Sequence, residues 1–327
     1  MSNAVLNDFL CPPVLLIAFN RPDNTQKVFD AIAKEKPARF FLAVDGPREG
    51  REDDLKNTNL VKQLIKKINW PCEVKTLFSE KNLGCKLAVV GAINWFFEHV
   101  DSGIILEDDC VPSHDFFDFC DLMLNRYAND SKVMLISGTN FYAEQKKFGM
   151  EKGAFFSKYF TMWGWATWRR AWAQYDLTLE SVPKKKLAQE LRQAFRSSWI
   201  SFFYLQIYRE AKNSDFSTWD FQWSFKMLVS EAFAVAPASN LITNIGIEGF
   251  HASASSPDAR FLNLKTQTLD VSRISDDLKE EPEYHRTLVA DIFSDISKLK
   301  LCIRALLTFT GMGQLIFKWR RRKRSKK

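Results

Sequence analysis

The sequence predicts an α/β protein built on a mostly parallel central sheet flanked by helices. Three observations predict it. Short apolar runs alternate with stretches of helical spacing through the first 110 residues, in the order strand, helix, strand, helix, strand, helix, strand. Each run ends in polar or charged residues, as strands do when they deliver loops to one edge of a sheet. Apolar residues make up 46% of the chain and aromatics 14%, enough for a sizeable core and too much for a disordered chain.

The first run, Val14 to Phe19, is continuous and follows Pro12-Pro13, which reads as a buried strand. It exits into Asn20-Arg21-Pro22. Asp23 or Asn24 is placed to cap a helix over 24–34 with Val28, Phe29, Ile32 and Ala33 at helical spacing. Phe40 to Val44 gives a second strand, closed by Asp45-Gly46-Pro47, and a helix over 52–68 should turn Leu60, Leu64, Ile65 and Ile68 inward. Glu73 to Phe78 reads as the third strand. A turn at Ser79–Gly84 then leads into a helix that begins near Lys86 and runs to about His99. Ile104 to Leu106 is the fourth strand, and it runs directly into Glu107, Asp108 and Asp109. Beyond it come a helix over 114–128, a strand over 133–136, a polar loop at 144–153 and an aromatic-dense stretch from Tyr159 to Trp172. A charged helix over 184–196, another opening at Thr218-Trp219-Asp220, an extended segment from Ala234 and an irregular stretch over 255–275 complete the body.

Net charge is +7, but eight basic and no acidic residues lie between Lys318 and Lys327. Subtracting those eight leaves about −1 for residues 1–317, so the body is near neutral and the basicity belongs to the tail. That excludes a broad nucleic-acid-binding face and points to a local contact with an anionic surface. The uncharged stretch Ala305–Phe317 spans 13 residues, short of the roughly 20 needed to cross a bilayer. With the cations behind it, it reads as a segment lying on an anionic membrane surface, or as a docked helix with a basic end. Six cysteines show no CxxC or metal-type spacing, and Met1 to Asp8 carries no export signal. The expectation is free thiols in a cytoplasmic protein, peripheral at the inner membrane face.

The chemistry concentrates at the strand exits. Arg21, Asp45, Lys86 and the triplet Glu107-Asp108-Asp109 fall at the carboxyl ends of consecutive strands or just after them, along one crevice. Three adjacent carboxylates repel one another and call for a neutralising partner. A hard divalent cation, manganese or magnesium, suits oxygen ligands, and Arg21 and Lys86 suit phosphates. Taken alone, such a triplet also occurs as a solvated acidic loop.

The order of these pieces resembles the GT-A (Rossmann-like) fold of nucleotide-sugar-dependent glycosyltransferases, and in particular bacterial relatives of N-acetylglucosaminyltransferase I. The residues that carry the likeness are Ile17-Ala-Phe-Asn-Arg21, Asp45, Glu107-Asp108-Asp109-Cys-Val-Pro-Ser-His-Asp-Phe-Phe117, Trp163-Gly164-Trp165, Trp219-Asp220 and Asn244-Ile-Gly-Ile. The likeness covers roughly residues 12–255. It implies a domain over 1–255, with a nucleotide-binding half about 12–141 and an acceptor half about 142–255, followed by a C-terminal extension over 256–327 with an amphipathic helix and a basic tail.

The resemblance implies roles residue by residue. Asp109 looks like the metal ligand, with His251 as a second metal or diphosphate contact. Asp108 looks like a ribose or metal-water contact and Glu107 a donor-sugar contact. Asn20, Arg21, Asp45 and Lys86 complete the nucleotide-sugar site, Arg21 at the diphosphate and Asp45 at the uracil. Asp220 falls at the general base of inverting members, though an acid in the first turn of a helix is also favoured by the helix dipole alone. Trp163, Trp165 and Trp219 read as core or as an acceptor wall on which sugar rings stack. The function implied is metal-dependent transfer of a sugar from a UDP-linked donor to a glycan or lipid-linked glycan acceptor, with inversion, in bacterial surface polysaccharide or lipopolysaccharide synthesis. A sugar-phosphate nucleotidyltransferase wants a Gly-rich phosphate loop after the first strand, where this chain has Asn20-Arg21-Pro22. A dehydrogenase wants a GxGxxG after a strand, which is missing. A non-catalytic sugar-binding protein of the same fold at a membrane surface is the alternative outside the enzymes.

Overall fold

The computed structural model describes residues 10–212, 216–246 and 259–294. Its first half is a repeated strand–helix unit: β1 (Val14–Ala18), α1 (Pro22–Glu35), β2 (Arg39–Val44), α2 (Glu52–Lys62), β3 (Glu73–Phe78), α3 (Cys85–His99) and β4 (Ser102–Glu107). These four strands are parallel and lie in the order β3-β2-β1-β4. Every residue of β1 is buried, and so are nearly all of β2 and most of β4. A strand without an exposed face must be covered on both sides, which explains runs that are apolar throughout rather than alternating. The edge strand β3 is covered less and is half exposed.

The chain then adds β5 (Cys110–Pro112), α4 (His114–Arg126), β6 (Val133–Ser137), β7 (Ala154–Ser157), β8 (Trp165–Trp168), the short α5 (Arg169–Trp172), α6 (Lys184–Phe195), α7 (Ser198–Ala211), α8 (Asp220–Val229), β9 (Phe233–Pro237), β10 (Ile242–Asn244) and α9 (Pro282–Ser294). The full sheet has eight strands, ordered β3-β2-β1-β4-β8-β6-β9-β7. Strand β8 is antiparallel to both β4 and β6, and β7 is antiparallel to β9, so six strands run one way and two the other. The expected mostly parallel α/β sheet is the architecture observed. A second, two-stranded ribbon pairs β5 with β10 antiparallel, matching Cys110 with Asn244 and Pro112 with Ile242.

Several elements differ from the sequence reading. Helix α1 starts earlier, with Pro22 in its first turn and no side-chain cap from Asp23 or Asn24; proline's fixed φ suits that position and its missing N–H has no intrahelical partner there. Helix α2 ends at Lys62 and tightens into a 3-10 turn over Gln63–Lys67, which leaves Leu60 43% exposed while Thr58 and Val61 face the core. Strand β8 was hidden in the aromatic run, because Trp-Ala-Thr-Trp is buried on both faces and shows no alternation. Helix α7 was missed too. Its Trp, Phe, Tyr and Ile residues are mediocre helix formers, and packing decides for them; Ser197 caps it by accepting from the Ile200 N–H at 3.3 Å.

Two arginines from the aromatic stretch fasten the helix ends. Arg169 Nε donates to the carbonyls of Phe97 in the last turn of α3 and of Val100 just past it, and Arg170 donates to those of Tyr127, Ala128 and Val133 after α4. Carbonyls at a helix C-terminus lack intrahelical donors, so a cation supplies both hydrogen bonds and charge.

The core has one large body under the sheet and two satellites. One satellite packs α6, α7 and α8 through Leu191, Phe203, Tyr204 and Phe225. The other gathers Phe141, Tyr142, Phe155, Phe261, Tyr284 and Leu288. Val271, Ile274 and Leu278 join the main core, and α9 docks through His285, whose Nε2 lies 3.1 Å from the Ala194 carbonyl, and through Asp291, which accepts from the Tyr142 hydroxyl at 2.6 Å. Residues from 259–294 thus pack against the body. The expected basic tail lies outside the described residues. Among the described residues no helix is long and apolar enough to cross a membrane.

Candidate functional site

The strand order places the site. The chain steps outward from β1 to β2 to β3, then returns to lay β4 on the other side of β1. Where the order reverses, the loops after β1 and β4 diverge and leave a crevice at the carboxyl edge. The β1 exit carries Asn20 and Arg21, and the β4 exit carries Glu107, Asp108 and Asp109.

Arg21 links the two exits. Its guanidinium donates to Asp108 Oδ1 and stands 3.0 Å from Asp109 Oδ2. The other Asp108 oxygen accepts from the Phe19 N–H at 3.3 Å. Burial raises the carboxyls of Glu107 and Asp108 above the ordinary range, and each is raised further by the neighbouring acids, while Arg21 pulls the other way. The triplet thus holds more negative charge than one arginine balances.

Asn20 is committed elsewhere. Its amide donates to Asp54 Oδ1 at 2.5 Å, and the same buried carboxylate takes two bonds from the Arg48 guanidinium, at 2.5 and 2.8 Å. The Arg48 hydrogen bonds hold Asp54 below the usual carboxylate range. This ion pair braces the β1 exit against α2, and its only local sign is an acid in a first turn.

Asp45 organises the next loop. Its carboxylate accepts from the N–H groups of Gly46, Leu83 and Gly84 and from the Asn82 amide, at 2.8 to 3.1 Å. The loops after β2 and β3 touch here: a Cβ on Gly46 would fall 2.5 Å from the Lys81 backbone. Asp45 therefore shapes the start of α3, where Lys86 sits with its ammonium pushed down by desolvation. The neighbouring Cys85 thiol is pushed up to about 12, first by the protein atoms around it and then by the charges of Glu107, Asp220, Asp108 and Asp45.

That group of charges locates Asp220. It is the first residue of α8, and its charge acts on Glu107, on Cys85 and on Tyr175. Trp219, the residue before it, stacks on Trp165, whose strand partner Ile105 lies two residues before Glu107, so the start of α8 lies near the β4 exit although more than 110 residues separate them in sequence.

Strand β10 closes the corner from the other side. The Ile245 N–H donates to the Asp109 carbonyl at 2.8 Å, Cys110 Sγ lies 3.4 Å from Asp109 Oδ1, and the Gly246 N–H donates to Asn244 Oδ1 at 2.8 Å. Hard carboxylate oxygens from Asp109 and Asp108, in a pocket with surplus negative charge, fit the chemistry of a divalent cation. Among the described residues no group of three or more His, Cys, Asp or Glu is arranged to hold one, and His251 lies outside the described residues.

No family model matches the chain, and no curated protein matches it. Among solved structures, a UDP-glucose pyrophosphorylase complexed with UDP-glucose is 8% identical, covers 69% of this chain and 90% of its own, and superposes with a TM-score of 0.33, a likeness too slight to carry an argument.

The aromatic residues divide. Trp165 is wholly buried and Trp219 is 4% exposed; the two stack with ring centroids 5.8 Å apart and pack with Trp172 in the core. Neither offers a face to a sugar ring, which corrects the expectation of an acceptor wall for these two. Trp163 alone of the three is partly open, standing edge to face with Phe141 at 5.3 Å.

Proposed function

We propose that the protein is a glycosyltransferase that takes a sugar from a nucleoside diphosphate donor, UDP-linked by the family resemblance, to a glycan or lipid-carried glycan hydroxyl with inversion at the anomeric carbon. The observation that supports this reading is the Glu107-Asp108-Asp109 triplet at the point where the strand order reverses, with the start of α8 held near it by Trp219 stacked on the Trp165 that pairs with Ile105.

In this reading Asp108 and Asp109, held in register by Arg21, take the donor end of the crevice, and Lys86 adds a cation beside the diphosphate. Asp109 would hold a manganese or magnesium ion, with His251 as its partner; bound there, the ion would supply positive charge against the diphosphate leaving group. Glu107, raised by burial, is suited to donate a hydrogen bond to a sugar hydroxyl while it keeps its proton. Asp220 accepts the proton of the acceptor hydroxyl as that oxygen attacks the anomeric carbon; the carbon–oxygen bond to the diphosphate breaks on the opposite face and the nucleoside diphosphate leaves.

The test is a thermal-shift panel of nucleoside diphosphates and UDP-sugars with and without manganese, followed by an assay of UDP release with cell-envelope acceptor. Acceptor-dependent UDP release supports transfer. Formation of a nucleotide sugar and pyrophosphate from a nucleoside triphosphate and a sugar 1-phosphate would establish a nucleotidyltransferase instead. Ligand stabilisation without turnover would establish a sugar-binding protein.

A further inference from the structure

Helices α6 and α7 form a hairpin on which every exposed charge is positive. Lys184, Lys185, Lys186, Arg192, Arg196, Arg209 and Lys212 are exposed, while the acids of the same stretch, Glu190 and Glu210, are buried and half-buried. Lys186 is paired with Glu231 at 3.0 Å, which leaves six cations with no acid of the hairpin exposed beside them. Along α7 the outward positions Ser198, Phe202, Leu205, Arg209 and Lys212 recur every three or four residues, so they form one stripe. Its first half is apolar and its second half cationic. Trp199 stacks on Phe202 with centroids 5.9 Å apart, and Phe202 is 37% exposed. On the inner side of the same helix, Phe203 and Tyr204 pack into the core against Phe221, the residue after Asp220.

Phe202 and the half-buried Trp199 stacked on it leave an aromatic edge open to water, and such apolar surface is favoured when something covers it. Aromatic rings set among cations, with no exposed acid on the hairpin, match an anionic lipid surface, where rings enter the headgroup layer and arginines and lysines meet phosphates. We propose that the outer face of α7, with Phe202 and the half-buried Trp199 as its inserted residues, Arg209 and Lys212 further along the same stripe and Arg192 and Arg196 at the adjoining end of α6, docks on an anionic membrane surface. The docking adds to any contact made by the run Lys318–Lys327 and stands whether or not the protein transfers sugar. It puts α8, which carries Asp220, one helix away from the lipid.

The experiment is co-sedimentation of the full chain with vesicles of phosphatidylcholine alone and of phosphatidylcholine with phosphatidylglycerol. Binding to the anionic vesicles is expected to fall roughly tenfold in Trp199→Ser/Phe202→Ser and in Arg192→Glu/Arg196→Glu, and the second variant should keep its melting temperature because both arginines are exposed. In a Trp319→Phe background, which removes the tryptophan of the basic run, brominated lipid should quench the tryptophan fluorescence, and adding Trp199→Phe should keep binding while losing that quenching. Unchanged binding in both double variants, or quenching that survives Trp199→Phe, would overturn the proposal. Concentration-dependent self-association that Trp199→Ser/Phe202→Ser abolishes, or binding to single-stranded nucleic acid of the same strength as to vesicles, would overturn it as well.

Discussion

The α-carbon of Gly246 stands against the carboxylate of Asp109, so close that a Cβ at position 246 would fall 2.3 Å from Oδ2 and 3.0 Å from Asn244 Oδ1. No methyl group fits there without moving the acid. Gly246→Ala should therefore push Asp109 off its position, weaken nucleotide binding at least about tenfold, and cost about 1–3 kcal/mol of stability through overpacking. Titration calorimetry with UDP and manganese, beside a urea melt, reads both effects.

Arg21 is the buttress of the triplet. Removing it leaves Asp108 buried with its attraction gone, so Arg21→Ala is expected to destabilise by about 3 kcal/mol or more. Arg21→Ala/Asp108→Asn should recover part of that loss, because the stranded charge goes with the arginine. A double-mutant cycle on chemical denaturation gives the coupling directly.

Asp220→Asn keeps the shape of the side chain and removes its basicity. Transfer should fall by about 10²- to 10⁴-fold while UDP still binds. The comparison of single-turnover rate with nucleotide affinity separates a base from a residue that merely shapes the pocket.

His285 sets a pH limit. It is fully buried and burial holds it down to about 4, against an ordinary value near 6.5, with its Nε2 beside the Ala194 carbonyl. The unfolded chain binds a proton that the folded one refuses, so stability rises with pH here. The contribution is complete above pH 6.5 and is lost as pH falls from about 6.5 towards 4. A difference of about 2.5 units at about 1.4 kcal/mol each bounds the loss at about 3 kcal/mol. In urea melts, the stability difference between the wild type and His285→Gln should shrink from pH 7 to pH 4.5, a comparison in which the groups common to both cancel.

Trp165 and Trp163 offer a contrast two residues apart. Trp165→Ala should cost about 3–5 kcal/mol, as a cavity in a stacked core does, while Trp163→Ala, at a half-buried ring packed against Phe141, should cost less and also lower acceptor use. Melting temperature and acceptor KM distinguish the pair.

The half of the fold that rests on local patterns was legible. Four apolar runs with polar exits located β1 to β4, and Glu107 to Asp109 marked the corner before any geometry was known. What escaped reading depends on distant partners. Trp165 to Trp168 became a strand because β4 and β6 leave an antiparallel slot between them. Asn20 stands at a strand exit, yet the Asp54 that holds its amide is invisible to any motif. Asn244-Ile-Gly-Ile stood out as a motif, yet the reason for its glycine lies across space at Asp109.

The ribbon of β5 with β10 joins Cys110 to Asn244, 134 positions apart. A nascent chain can assemble the four-stranded parallel half as soon as residue 107 has emerged, but the wall against Asp109 arrives only when β10 does. The corner is thus among the last things to be completed during synthesis, and a product cut short before residue 240 would carry the acidic triplet without the strand that seats it.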